Sequence, residues 1–167
     1  MARQKTEVVE VVDRTGAVPL PPLPNGLAER YPTGCLSITI DTPPEKWPTS
    51  FVVGSREWKA AVVNASCTPD TPVEPQWSDT FHVQNWLVMV REKDDPKTGE
   101  ISRFRWLALF CSNGDIIGTS SDYAPHGLAR ALRVYTEEEW QAGVPFRIRA
   151  RKSKTTGHYY HELRAQS

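Results

Sequence analysis

The sequence predicts a mainly β fold with one principal helix. Segments in which apolar and polar residues alternate recur from Cys35 to the C-terminus, as expected of strands with one buried face. The spacing of the apolar residues changes to that of a helix in one segment, residues 123–135. A length of 167 residues suits a single domain with a core of its own.

Residues 1–34 are predicted to form a proline-rich arm or linker, followed by one β-rich domain of residues 35–167. The segment VPLPPLPNG, residues 18–26, contains four prolines, and these favour extended polyproline geometry. We favour a linker, or an arm lying over the domain, above an SH3-type ligand. TEVVEVV, just before the prolines, could add an edge strand.

The first half of the domain is predicted to hold extra N-terminal strands and then a long hairpin. CLSITID and the two apolar runs of SFVVGSREWKAAVVNAS are the extra strands, and the proline-containing residues 67–79 are a loop. TFHVQNWLVMVRE, residues 80–92, pairs with ISRFRWLALFCS, residues 101–112, across a turn at 94–100. Asn113-Gly114 predicts a tight turn, and IIGTSS is the next strand.

YAPHGLARALRVY, residues 123–135, is the predicted helix. Four of its apolar residues recur at helical spacing: Leu128, Ala131, Leu132 and Tyr135. Ser121 or Asp122 is the expected N-cap. Thr136 and Glu139 form a capping-box pattern that starts one further turn. The last hairpin then closes through KSKTTGH.

The predicted order is strand, strand, strand, helix, strand, strand. This is the order of the OB-fold, a five-stranded Greek-key barrel with a helix between its third and fourth strands. We therefore expect an OB-like barrel with one helix at that position and extra N-terminal strands. A β-sandwich and a mixed α+β sheet are the alternative folds.

No group of residues in the sequence has the spacing of a catalytic or metal site, so we expect neither an enzyme nor a bound cofactor or metal. His158 and His161 share the last hairpin, but residues three apart on a strand point to opposite faces. Cys111 lies inside the strand-like LALFCS, where a cysteine is usually a core residue. The glycines are scattered and form no phosphate-binding loop.

The cysteines and the hydropathy suggest an intracellular protein. Cys35, Cys67 and Cys111 are odd in number and far apart, which argues against a disulfide framework. No apolar run approaches the roughly 20 residues of a membrane helix. We therefore expect a cytoplasmic location and no membrane partner.

The C-terminal hairpin carries the strongest indication of function. The chain has zero net charge, but residues 141–167 hold six lysines and arginines against Glu162. Arg147, Arg149 and Arg151 alternate with apolar residues, so they should face outward from a strand whose other face is in the core.

Single-stranded nucleic acid requires cationic groups for its phosphates and flat side chains on which bases can stack. The hairpin of residues 80–112 offers a mixed face of tryptophan and arginine, and we expect Trp86 or Trp106, but not both, to be buried. The predicted nucleic-acid-binding residues are Trp86, Arg103, Arg105, Trp106, Arg147, Arg149, Arg151, Lys152, Lys154, Tyr159 and Tyr160.

The segments NGDIIGTSS, APHGLARALRVY and FRIRARKSKTTGHYYHELR, taken in this order, resemble the C-terminal half of OB-fold single-stranded DNA-binding proteins encoded by bacteriophages. The resemblance covers about residues 80–165. It implies single-stranded DNA as the partner, a role in phage DNA replication or recombination, and the cytoplasm of the host cell as the location. The final residues, HELRAQS, lack the acidic tail with which bacterial single-strand-binding proteins recruit partners.

Two other interpretations remain open. The alternating arginines could only protect an edge strand from aggregation. Alternatively, the protein could be a structural or interaction module, either a virion component or an inhibitor of a host protein, since Trp, Tyr and Arg are also enriched in protein interfaces. The proline-rich arm could then mediate self-association, or contacts with replication proteins.

Overall fold

The computed structural model describes residue 36 and residues 38–69 and 79–167. The predicted arm of residues 1–34, with its possible edge strand, lies outside the described residues, as does most of the predicted loop at 67–79.

Five antiparallel strands form one open sheet in the order β3-β2-β1-β4-β5. The strands are β1 (Phe81–Asp94), β2 (Ile101–Cys111), β3 (Ile116–Thr119), β4 (Val144–Lys152) and β5 (Tyr159–Ala165). The α-helices are α1 (Arg56–Cys67), α2 (Ala124–Ala131) and α3 (Glu137–Ala142), and Pro44–Lys46 form a short 3-10 helix. The predicted mainly β class is confirmed, and so are the positions of these five strands.

The predicted strands in residues 51–66 are wrong, because most of this segment is helix α1. The hydroxyl of Ser55 accepts a hydrogen bond from the backbone N–H of Trp58 at 3.0 Å and so caps the helix. Ala61 and Ala65, four residues apart, are the buried residues of α1. The part of CLSITID that the structure describes is also not a strand. In this region one isolated bridge, Thr49 to Leu87, adds to the sheet.

The predicted helix after β3 is present as α2, but it is not the single helix of that connection. α3 follows it, and the predicted capping box is formed: Glu139 N–H donates to the Thr136 hydroxyl at 3.3 Å, and Thr136 N–H donates to the Glu139 carboxylate at 2.7 Å. The predicted cap of α2 is wrong, because Tyr123 occupies the N-cap position. The Ser121 hydroxyl instead binds β5.

The two ends of the sheet meet through side chains. Ser121, just beyond β3, accepts from the backbone N–H of His161 at 2.9 Å and donates to its carbonyl at 3.1 Å. The Thr119 hydroxyl lies 2.6 Å from His161 Nδ1. Gly127 of α2 packs so closely on the Leu163 carbonyl that a Cβ would overlap it. The edge of β5 is therefore covered, although no strand ladder joins β3 to β5 in the described sheet.

A β-bulge between Val83 and Asn85 interrupts the pairing of β1 with β2. The extra residue changes which face of the sheet the following side chains occupy. Before the bulge β1 pairs with β4, and after it residues 48–50 bind Trp86 and Val88. Both edges of β1 are therefore paired with other segments over much of its length. Its consecutive residues Trp86, Leu87, Val88 and Met89 are all buried, so both faces of the middle of β1 are covered.

Within the part of the chain that the structure describes, every helix is too short or too polar to cross a bilayer.

Candidate nucleic-acid interface

The strand β4 alternates as its sequence predicts. Phe146, Ile148 and Ala150 are buried in the core, whereas Arg147 and Arg151 are exposed and Arg149 is partly exposed on the other face. The hydrophobic effect holds this orientation, since turning the strand over would expose three apolar side chains and bury three guanidinium groups.

β5 adds a second row of polar side chains to the outer face of β4. The cross-strand pairs on this face are Arg147 with Arg164, Arg149 with Glu162, and Arg151 with Tyr160. Arg164 and Glu162 were not among the residues predicted from the sequence. The length of the KSKTTGH turn sets the register that brings them opposite the arginines. We call these six residues the β4–β5 face.

Glu162 is the one carboxylate of the β4–β5 face. It accepts hydrogen bonds from Arg164 Nε and Nη2 at 2.8 and 2.6 Å and from Arg151 Nη1 at 3.3 Å. Its partial burial acts to raise its pKa, but the hydrogen bonds and charges of Arg164 and Arg151 outweigh burial and lower the pKa below the usual 4.5. Glu162 is therefore ionised at neutral pH, and the face carries four arginines against one glutamate.

The tip of the β4–β5 hairpin exposes an aromatic ring among cations. Tyr159 is 56% exposed, and the ammonium group of Lys152 lies 6.0 Å from its ring centroid. Lys154 is exposed in the turn. Of the predicted stacking residues, Tyr159 is the one whose ring is most open to a base.

Tyr160 is half-buried because another ring packs on it. Its centroid lies 4.1 Å from that of Tyr123, with the ring planes at 34°. This pair links the hairpin to the segment before α2. Tyr123 is a further residue of the candidate interface that was not predicted from the sequence, besides Arg164 and Glu162.

Arg105 is connected to the hairpin through this segment, whereas Arg103 pairs elsewhere. Arg105 Nη2 lies 2.6 Å from the carboxylate of Asp122, the residue next to Tyr123. Arg103 Nε lies 2.9 Å from Glu92 on the neighbouring strand β1. Both ion pairs are solvent-exposed, and such pairs contribute little to stability, about 0–1 kcal/mol each.

The expectation that Trp86 or Trp106 faces solvent is wrong, since each is only 1% exposed. The Arg91 guanidinium lies 4.3 Å from the Trp106 ring centroid, and a Cβ on Gly118 would overlap the same indole. Neither tryptophan can offer a face to a base. The predicted mixed face of the β1–β2 hairpin is covered because α1 and the segment before it pack on the sheet.

One cleft in the described structure has a volume of about 380 Å³ and lies between the start of β1 and the β2–β3 turn. Asp79 and Asp115 are among its lining residues. Carboxylates repel phosphate, so these two side chains disfavour a phosphate in this cleft.

Comparison of the chain with protein-family models, with curated proteins and with solved structures found no match. The function is therefore inferred from the chemistry of the β4–β5 face and of the hairpin tip.

Proposed function

We propose that the protein binds single-stranded DNA, with phosphates on the β4–β5 face and bases on the aromatic hairpin tip. The observation that carries this proposal is the direct cross-strand pairing of Arg147 with Arg164. Like charges directly opposite on neighbouring strands are destabilising. In the free protein Arg164 donates to Glu162 and Arg147 donates to the Thr80 hydroxyl, so Glu162 offsets only part of this repulsion. A phosphodiester is an anion that accepts from two guanidinium groups and can offset the rest.

The spacing of the arginines suits a linear polyanion. Side chains on one face of a strand recur about every 6.6 Å, so Arg147, Arg149 and Arg151 form a row along β4. A row of this kind can contact successive phosphates of an extended nucleic-acid strand, whereas a compact anion would need only one pair of arginines. Lys152 and Lys154 continue the cationic surface into the turn.

Base stacking on Tyr159 provides the second part of the interaction. The ring is exposed and lies next to Lys152, which places a cation beside an aromatic platform. Stacking of a base on such a ring is worth about 1–3 kcal/mol and tolerates any sequence. We therefore expect little sequence preference.

We further propose that the five strands form an OB-like barrel. The sheet order places β1 between β2 and β4, and the bonds of Ser121 and Thr119 to His161 bring β3 and β5 together. These contacts support closure by side chains. A role in replication or recombination of phage DNA is what the sequence resemblance adds to this proposal.

A protein-interaction module is the second candidate function. Large apolar side chains are exposed in the segment before α1 and on the helix itself: Val52 is 77% and Val63 62% exposed. Exposed apolar groups of this kind fit a protein partner better than a polyanion. In that case the arginines of β4 would only protect the sheet from aggregation.

The test compares two triple variants that remove the same charge. We expect R147S/R149S/R151S to bind a fluorescently labelled mixed-sequence oligonucleotide more weakly than the parent in anisotropy titrations. The slope of log affinity against log salt should fall by about 0.7 for each phosphate of the single strand that the variant no longer neutralises. The control K46S/R56S/K59S changes exposed cations on and before α1, and it should bind as the parent does.

Equal binding by the parent and by R147S/R149S/R151S, with unchanged melting temperatures, would refute the proposed interface. A Tyr159→Ala variant separates the two contributions. It should lower affinity while the salt slope stays close to that of the parent, because stacking releases no counterions.

A further inference from the structure

Glu162 lies at the centre of the β4–β5 face. Its two carboxylate oxygens are shared between Arg164, at 2.6 and 2.8 Å, and Arg151, at 3.3 Å. Arg149 is its cross-strand partner. Its side chain is only 21% exposed, so it is held among the guanidinium groups and not in bulk water.

A carboxylate and a phosphate bind guanidinium in the same way. Each presents two oxygens that accept parallel N–H bonds from the planar fork. The donors that Glu162 occupies on Arg151 and Arg164 are therefore donors that a phosphodiester would use. Both anions cannot occupy these donors at once without placing two negative charges side by side.

We propose that Glu162 is an internal competitor for phosphate, which weakens the binding of single-stranded DNA to the β4–β5 face. The inference rests on the proposed function, since it concerns regulation of that same surface. In the free protein, Glu162 satisfies the arginines and reduces their mutual repulsion. In the complex, a phosphate displaces it from at least one of them.

The alternative role for Glu162 is structural. If the carboxylate only aligned Arg151 and Arg164 for the ligand, its removal would weaken binding. If it competes, its removal strengthens binding. The two roles predict effects of opposite sign, so a single substitution distinguishes them.

The test is Glu162→Gln, which keeps the size of the side chain, removes its charge and leaves one carbonyl oxygen that can accept from an arginine. We expect affinity for a labelled mixed-sequence oligonucleotide to rise about three- to tenfold at low salt, as removing one unit charge a few ångströms from a phosphate implies. The salt slope should steepen by up to about 0.7, the value for one additional neutralised phosphate on a single strand.

Glu57→Gln is the matched control, because it makes the same change of charge at an exposed position in the first turn of α1. It should change affinity by less than about twofold when the two variants are compared at 0.1 M salt, where exposed charges are screened beyond about 10 Å. The gain in affinity from Glu162→Gln should also disappear in an R151S/R164S background, because the guanidinium groups for which Glu162 and phosphate compete are then absent.

The outcomes separate the inference from the function on which it rests. If the parent binds but Glu162→Gln, still folded at the assay temperature, binds equally or more weakly, Glu162 is not a competitor and the proposed function stands. If neither binds at low salt, the proposed function fails and the inference fails with it. If Glu57→Gln raises affinity as much as Glu162→Gln, the effect is one of overall charge and the inference is overturned.

Discussion

At the scale of single residues, burial separates the residues that could bind a ligand from those that build the core. Trp106 and Tyr159 are both aromatic residues in strands, but Trp106 is covered by Arg91 and Gly118, whereas Tyr159 is open to solvent. Arg91 also donates to the carbonyls of Thr68 and Ser66 at 2.8 and 3.1 Å. It thereby ties the C-terminal end of α1 to the sheet and acts as a structural arginine.

Cys111 provides a prediction at this scale. Burial, with a smaller contribution from the charge of Asp115, raises the pKa of its thiol from 9.0 to about 11, so only about a thousandth of it is thiolate at pH 8. We expect iodoacetamide at pH 8 to alkylate the exposed Cys67 and to leave Cys111 unmodified in the native protein. Mass spectrometry of the tryptic peptides measures both sites in one sample.

Denatured protein is the control, and there both cysteines should be alkylated equally. Rapid labelling of Cys111 in the native protein would show that the core around β2 opens readily.

At the scale of secondary-structure elements, the β4–β5 hairpin is held by its inner face, and its outer face is the proposed binding surface. Its inner side chains pack in the core. On its outer face, Glu162 of β5 pairs with Arg151 of β4 and with Arg164 of its own strand. The stability of the hairpin therefore includes an electrostatic contribution that depends on pH.

The pH dependence follows from the sign of the shift. Because the folded-state pKa of Glu162 is lowered below 4.5, its contribution to stability is present above the unfolded-state pKa and is lost as the pH falls through the folded-state value. We expect the parent to be more stable than Glu162→Gln at pH 6, and the difference in melting temperature to shrink progressively towards pH 3.

Calorimetric scans of the two proteins between pH 3 and pH 7 measure this difference. A constant difference over that range would mean that the ion pairs of Glu162 do not contribute to folding stability.

At the scale of the whole molecule, one serine joins the two ends of the sheet. Ser121 satisfies both backbone groups of His161 on β5, which would otherwise be unpaired groups on an edge strand. This contact consists of side-chain hydrogen bonds, since the described sheet has no ladder between β3 and β5.

We expect Ser121→Ala to lower the free energy of unfolding by about 1–3 kcal/mol, because two partly buried backbone groups lose their partner. Hydrogen exchange at the His161 amide should become faster. Urea denaturation and exchange mass spectrometry are the measurements. The control is Ser120→Ala at the adjacent exposed position, and a similar loss in both variants would contradict the proposed role of Ser121.

The sequence patterns that gave correct structural predictions are those that depend only on residues close together in the sequence. The alternation in β4, the capping box at Thr136 and the hairpin turns depend on a few adjacent residues. Residues 56–67 were wrongly predicted as strand because Val62 and Val63 are β-branched. The Ser55 cap and the two alanines that pack on the sheet instead favour a helix. Tertiary packing decides such cases.

By itself, the sequence determined that the chain is mainly β, that it ends in a cationic hairpin, and that Arg147, Arg149 and Arg151 share one face. Period-two alternation requires no knowledge of the remaining chain. Only the tertiary structure decided that Trp86 and Trp106 are both buried, since a bulge and the packing of distant segments set the exposure of β1 and β2. It also decided that Arg164 and Glu162 join the arginines, because the strand register, not proximity in sequence, places them opposite one another.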